Sequence, residues 1–172
     1  MMIDQPLDRE LMREALSLAK DAMKLGEAPI ASVVARRTGQ IIGWGWNELN
    51  AKRDRTAHAE MAAFRDAAGR YPIDCTDLIL VCTLEPCVMC LGAAMLSGVD
   101  RVVHAMRAPA DGGAGRIKPP TSPESQNPKI VGGVMAAEAR ALFLEWLEQH
   151  PADDSQHKYI QQLLELKDAE HG

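Results

Sequence analysis

The sequence predicts a single α/β domain, and three observations carry that prediction. Helical and strand-like patterns alternate along the chain, Leu78 to Thr83 is a continuous apolar strand, and 172 residues with 47% hydrophobic content suit one sizeable core.

The elements follow in order. Leu11, Ala15, Leu18, Ala22 and Leu25 recur at helical spacing, with Asp8 expected as N-cap and Gly26 as terminator. Ile30 to Ala35 and Gln40 to Trp46 are β-rich runs separated by Arg36, Arg37, Thr38 and Gly39, which predicts an antiparallel hairpin leading to Asn47. Thr56 is placed to cap a helix through His58, Glu60 and Phe64 to about Ala68, ended by Gly69. After the Leu78 to Thr83 strand, Pro86 stands where a helix start tolerates proline. Asp100 to Ala105 reads as a further strand, residues 109 to 128 as a long Gly, Pro and Ser-rich loop, and Lys129 to Gly132 as a last strand. A helix carrying Met135, Ala139, Leu142, Phe143 and Trp146 on one face is expected to stop at Pro151. An extra acidic helix at about 153–170, with Ile160, Leu163, Leu164 and Lys167 at helical spacing, is expected to pack on its own domain, with a subunit interface as the alternative.

Charge is unevenly spread. Of the net −5, the whole excess lies from Gly133 to Gly172, while Lys52, Arg53 and Arg55, and later Arg107, Arg116 and Lys118, make the central segments locally basic. Such side chains suit either phosphate oxygens or a solvated rim. No apolar run approaches the roughly 20 residues of a membrane span, and Met1 to Glu10 lacks the layout of a secretory signal, so a cytoplasmic chain of residues 1–172 as one domain is the expectation. In that setting Cys75 and Cys82 are expected to be reduced.

Two segments carry chemistry. His58-Ala59-Glu60 and Pro86-Cys87-Val88-Met89-Cys90 together offer one imidazole, two thiols and a spare carboxylate. Cys87 and Cys90, three apart at a helix start, can reach one ion, and the helix N-terminus favours their thiolate form. Three protein ligands leave zinc an open position for water, whereas a structural site closes the tetrahedron with a fourth Cys or His. Glu60 is then free to move protons. Taken alone, Cys-x-x-Cys also suits a structural zinc knuckle or a redox pair, and a non-catalytic zinc protein stays as the alternative of another class. Neither of these uses Glu60.

The pattern His-x-Glu followed by Pro-Cys-x-x-Cys is that of zinc nucleobase deaminases. Thr83-Leu84-Glu85-Pro86-Cys87-Val88-Met89-Cys90, with Thr56-Ala57-His58-Ala59-Glu60 and Gly45-Trp46-Asn47, resembles the cytidine-deaminase superfamily over about residues 8 to 150, in the branch of tRNA adenosine, guanine and cytosine deaminases. The resemblance implies a three-layer α/β/α sandwich around a five-stranded mixed sheet, one Zn2+ per chain on His58, Cys87 and Cys90, Glu60 as catalytic acid/base, and a homodimer. It also implies that Asn47 hydrogen-bonds the base or ribose, that backbone groups at Ala59 and Glu85 meet the base edge, and that Glu27 and Pro29 line the pocket. His104 is expected to be a packed histidine.

The substrate expectation is a free nucleobase or nucleoside, purine ahead of pyrimidine, with an anticodon adenosine of tRNA as the alternative. Arg107 and Gly113-Ala114-Gly115 resemble the tRNA branch. Against it stand Ala108 in place of an aspartate, Ala31 in place of a pocket glycine, the acidic tail, and a stock of only two Tyr, two Phe and three Trp for stacking.

Overall fold

The computed structural model describes residues 5–123, 125–150, 152 and 155–166. The first helix, α1 (Pro6–Lys24), begins earlier than its apolar stripe because Pro6 is tolerated at its start. Gln5 therefore holds the N-cap position, and Asp8 lies three residues further in, where its carboxylate accepts the Gln5 backbone N–H at 3.3 Å. Asp8 is fully buried and also pairs with Arg101 at 3.0 Å.

The hairpin forms as expected. Strand β1 (Ala31–Arg36) pairs antiparallel with β2 (Ile41–Trp46), and a four-residue helix, α2 (Leu49–Lys52), which the sequence patterns do not signal, follows. Next come α3 (Ala59–Ala67), β3 (Leu78–Leu84), α4 (Val88–Leu96), β4 (Val99–Met106), β5 (Lys129–Gly132), α5 (Ala136–Gln149) and α6 (Ser155–Glu165). The sheet runs β2-β1-β3-β4-β5, with β1 antiparallel to both neighbours and β3, β4 and β5 parallel.

Alternation along the central strands divides the core into two layers. Val33, Ala35, Ile79, Val81, Val103 and Ala105 face α1 and α5, meeting Leu11, Ala15 and Leu142. Val34, Leu78, Leu80, Cys82 and Val102 face α3 and α4, meeting Ala63, Phe64, Leu91 and Ala94. The result is the three-layer α/β/α sandwich with a five-stranded mixed sheet. Strand β3 is buried along its whole length, which is why it reads as an unbroken apolar run.

The last helix packs on its own domain. Ile160 and Leu163 of α6 join Phe143 and Trp146 of α5, Leu84 at the end of β3, and Ala108. Pro151, Asp153, Asp154, Lys167 and the residues after it lie outside the described set, so the expected acidic helix is seen only as Ser155–Glu165. Among the described residues no helix is long and apolar enough to cross a membrane.

Candidate active site

The geometry of the site starts from two glycines in β2. A Cβ at Gly45 would stand 2.5 Å from Ala62 Cβ and 2.7 Å from the Ala63 nitrogen, and one at Gly43 2.4 Å from the Ala63 carbonyl. Their absence lets the Ala-rich helix α3 lie directly on the strand. His58, the N-cap residue of α3, is thereby held against the sheet in extended backbone conformation. Thr56 does not cap the helix, because the Asp54 carboxylate takes both its N–H and its hydroxyl at 2.8 Å in the preceding turn.

The second half sits at the carboxyl end of β3. Glu85 and Pro86 carry the chain to Cys87, the N-cap residue of α4, with Cys90 in the helix's first turn. Pro86 thus precedes the cap by one residue and is not itself helical. Cys87 Sγ lies 3.6 Å and Cys90 Sγ 3.5 Å from His58 Nδ1, and the two sulfurs are 3.7 Å apart. In a zinc tetrahedron with ordinary bond lengths, sulfur–sulfur and sulfur–nitrogen edges are about 3.8 and 3.6 Å. The three side chains therefore fit zinc as they stand. No fourth His, Cys, Asp or Glu joins this group among the described residues. Cys75 and Cys82 are free thiols elsewhere.

Electrostatics at the site are dominated by burial and by the sharing of one proton. The Cys87 thiol is drawn down to about 4, first by the hydrogen bond from Cys90 and then by His58, while Cys90 is pushed up by the same bond and by burial. The Cys87 thiolate raises the His58 imidazolium in turn. Glu60, 4% exposed in the first turn of α3, has its carboxyl pushed up by desolvation, against the pull of its own backbone N–H and of His58. A carboxyl so placed changes protonation more readily near neutral pH.

A cavity of about 810 Å³ opens over these groups. Its wall includes His58, Glu60, Cys87, Asn47 and Glu85 among the residues singled out from the sequence. Of the other four, Cys90 is fully buried in the metal triangle, and Ala59, Pro29 and Glu27 stand behind the wall. Ala59 is fully buried at the start of α3, and Pro29 is buried with its carbonyl accepting the Thr83 hydroxyl at 3.0 Å. Glu27, 2% exposed, accepts the Ala51 N–H at 2.9 Å and a side-chain N–H of Gln156 at 3.2 Å. The Glu85 carboxylate serves the loop after β4, accepting N–H groups from Ala108 at 3.1 Å and Ala114 at 3.3 Å. His104 is packed, 4% exposed, with Nδ1 3.0 Å from the Met106 carbonyl.

Sequence reasoning missed Gln156, Tyr159 and Asp111, which also line the cavity. The Tyr159 hydroxyl donates to the Asp111 carboxylate at 3.2 Å, tying α6 to the loop after β4. Arg53 and Arg55 line the same cavity, in the basic stretch before His58.

Comparison with known proteins agrees with this geometry. Residues 5–106 match the model of the cytidine and deoxycytidylate deaminase zinc-binding region. The chain is 40% identical over 139 residues to a tRNA(Ile)-lysidine synthase of Deinococcus radiodurans, covering 78% of this chain but 23% of that protein. It is 30% identical over 149 residues to tRNA-specific adenosine deaminase 2 of Xenopus laevis, covering 80% of this chain and 85% of that one. Among solved structures, guanine deaminase from Nitrosomonas europaea superposes with a TM-score of 0.66 at 25% identity, over 85% of this chain and 86% of that one. The chain spans about a quarter of the length of the Deinococcus relatives it matches. With a zinc-type triangle of ligands at the helix starts of this sandwich, the chain belongs to the family of the cytidine and deoxycytidylate deaminase zinc-binding region.

Proposed function

We propose that this chain is a zinc-dependent hydrolytic deaminase acting on a free nucleobase or nucleoside, with purines preferred. The observation that carries the reading is Glu60, buried beside the same cavity that His58 and Cys87 of the metal triangle line, yet not part of that triangle. A structural zinc site has no use for such a carboxyl.

His58, Cys87 and Cys90 would hold zinc, which supplies Lewis acidity that brings a water's ionisation close to neutral pH. Glu60 takes one proton from the attacking water and delivers it to a ring nitrogen, then takes the second from the hydroxyl now on the ring carbon and delivers it to the departing amino group. The C–N bond breaks, ammonia leaves, and the product keeps the water's oxygen as a carbonyl. Asn47, on the same cavity, orients the substrate, and Glu85 holds the loop after β4 through Ala108 and Ala114.

A small substrate is supported by α6, which brings Gln156 and Tyr159 into the cavity wall. A second reading, an anticodon adenosine of tRNA, is favoured by Arg53 and Arg55 on the same cavity and by the likeness to tRNA-specific relatives. Incubating zinc-loaded protein with guanine, adenine, cytosine, their nucleosides and an anticodon stem-loop, with mass-spectrometric detection of products, separates the two. Deamination of a free base or nucleoside is expected. Inosine formed only in the stem-loop would replace the first reading by the second. The family likeness also supports a homodimer, which equilibrium sedimentation tests.

A further inference from the structure

We propose that α6 sets the chemistry of the substrate-facing wall through a buried relay, Glu27 to Gln156 to Asn47, that turns the Asn47 carbonyl toward the cavity. Gln156 is then a positioning residue, acting through Asn47. The consequence for turnover rests on the reading of Asn47 as a substrate contact.

The orientation follows from donor and acceptor counting. Glu27 Oε1 takes the Ala51 N–H at 2.9 Å, and Oε2 faces Gln156 Nε2 at 3.2 Å. A carboxylate only accepts, so Gln156 must turn its NH2 group to Glu27. Gln156 Oε1 is left facing Asn47, and an amide oxygen also only accepts, so Asn47 must present Nδ2, which donates to it at 3.3 Å. Asn47 Oδ1 remains for the cavity. Turning the Asn47 amide over would set two oxygens against each other in a place where Glu27, Asn47 and Gln156 are 2%, 5% and 7% exposed. The Asn47 backbone is fixed as well, its N–H donating to the Ile30 carbonyl at 2.9 Å.

The wall at Asn47 thus offers an acceptor and selects a substrate with a donor there, a ring N–H or a sugar hydroxyl. The selection depends on a residue 109 positions away in the chain. Helix α6 therefore belongs to the site and is more than a cover for Trp146.

The relay makes a prediction that simple packing does not. In Glu27→Gln the chain of hydrogen bonds can invert without losing a member. The amide introduced at position 27 keeps its oxygen on the Ala51 N–H and offers its NH2 to Gln156, which flips and offers its own NH2 to Asn47. The Asn47 NH2 then faces the cavity. In the double variant Glu27→Gln with Gln156→Glu, the new carboxylate accepts from both neighbours and the original Asn47 orientation returns.

Two readouts test this. The first needs no substrate: hydrogen exchange of the Asn47 side-chain amide, followed by NMR on 15N-labelled zinc-loaded protein, should show one protected proton in the parent, none in Glu27→Gln, and protection regained in the double variant. The second is ammonia release from guanine and inosine formation in the anticodon stem-loop, whichever the parent turns over. Here kcat/KM should fall about ten- to a hundredfold in Glu27→Gln at nearly unchanged Tm and recover in the double variant. Equal protection of Asn47 in parent and Glu27→Gln, or no recovery in the double variant, would overturn the relay. Asn47→Ala separates the underlying reading: unchanged turnover in that variant alone removes Asn47 as a substrate contact.

Discussion

At the scale of single residues, the proposed mechanism divides labour between three groups that hold the metal and Glu60, which moves protons. Glu60→Gln keeps the shape of the side chain but cannot accept a proton, so we expect about one zinc per chain to be retained while kcat falls at least about a hundredfold. Cys87→Ala removes a corner of the triangle and should lose the metal along with activity. Metal analysis beside ammonia release checks both, and a Glu60→Gln protein with parental turnover would remove the carboxyl from the mechanism. The triangle of His58, Cys87 and Cys90 was legible because zinc chemistry demands particular residue types at the spacing of helix starts. Gln156 was not legible. A polar residue on an amphipathic helix reads as solvent-facing, and only the tertiary fold brings it to Asn47. Glu27 and Pro29 were placed near the pocket by family resemblance, and the structure puts them one layer behind its wall, where the Glu27 carboxylate accepts from Gln156.

At the scale of elements, the positions of the two helix starts decide whether the triangle closes. The α3 start depends on β2 carrying glycine, since a Cβ at Gly45 has no room against Ala62 and the α3 backbone. Gly45→Val should force α3 off the strand, costing about 1–3 kcal/mol by overpacking, and should weaken zinc binding because His58 moves with the helix. Urea unfolding and chelator competition measure the two effects, and parental values for both would show that β2 does not set the His58 position. Helix and strand periodicities were readable from apolar spacing, whereas their ends were not. Thr56 and Asp8 each looked like caps, but Thr56 is claimed by Asp54 and Asp8 by Gln5 and Arg101. Such competition between near neighbours and distant partners leaves no periodic mark. Helix α2 is too short, at four residues, to show a period at all.

At the scale of the whole molecule, the alternation of elements pointed to an α/β domain and the resemblance to a five-stranded mixed sheet, but strand order was not legible, because pairing between β1 and β3 spans residues that local patterns do not connect. The same non-local packing buries His104 on β4 and ties the fold's stability to pH. Burial holds the His104 imidazolium below its ordinary value of 6.5, with the Glu85 carboxylate opposing the shift and Arg107 adding to it. The neutral ring, donating from Nδ1 to the Met106 carbonyl, is therefore the folded form. The unfolded chain binds this proton more tightly, so the linkage makes stability rise with pH: the contribution is complete above 6.5 and is withdrawn as pH falls below it. His104→Asn retains a donor for Met106 and removes the titration. Urea unfolding of zinc-loaded parent and variant at about pH 7.5 and about pH 5.5 should show the parent losing more stability on acidification than the variant. Comparing the two chains cancels whatever acid does at His58, Cys87 and Cys90, which both share. Equal losses would mean that the acid sensitivity resides in other groups and that His104 contributes packing alone.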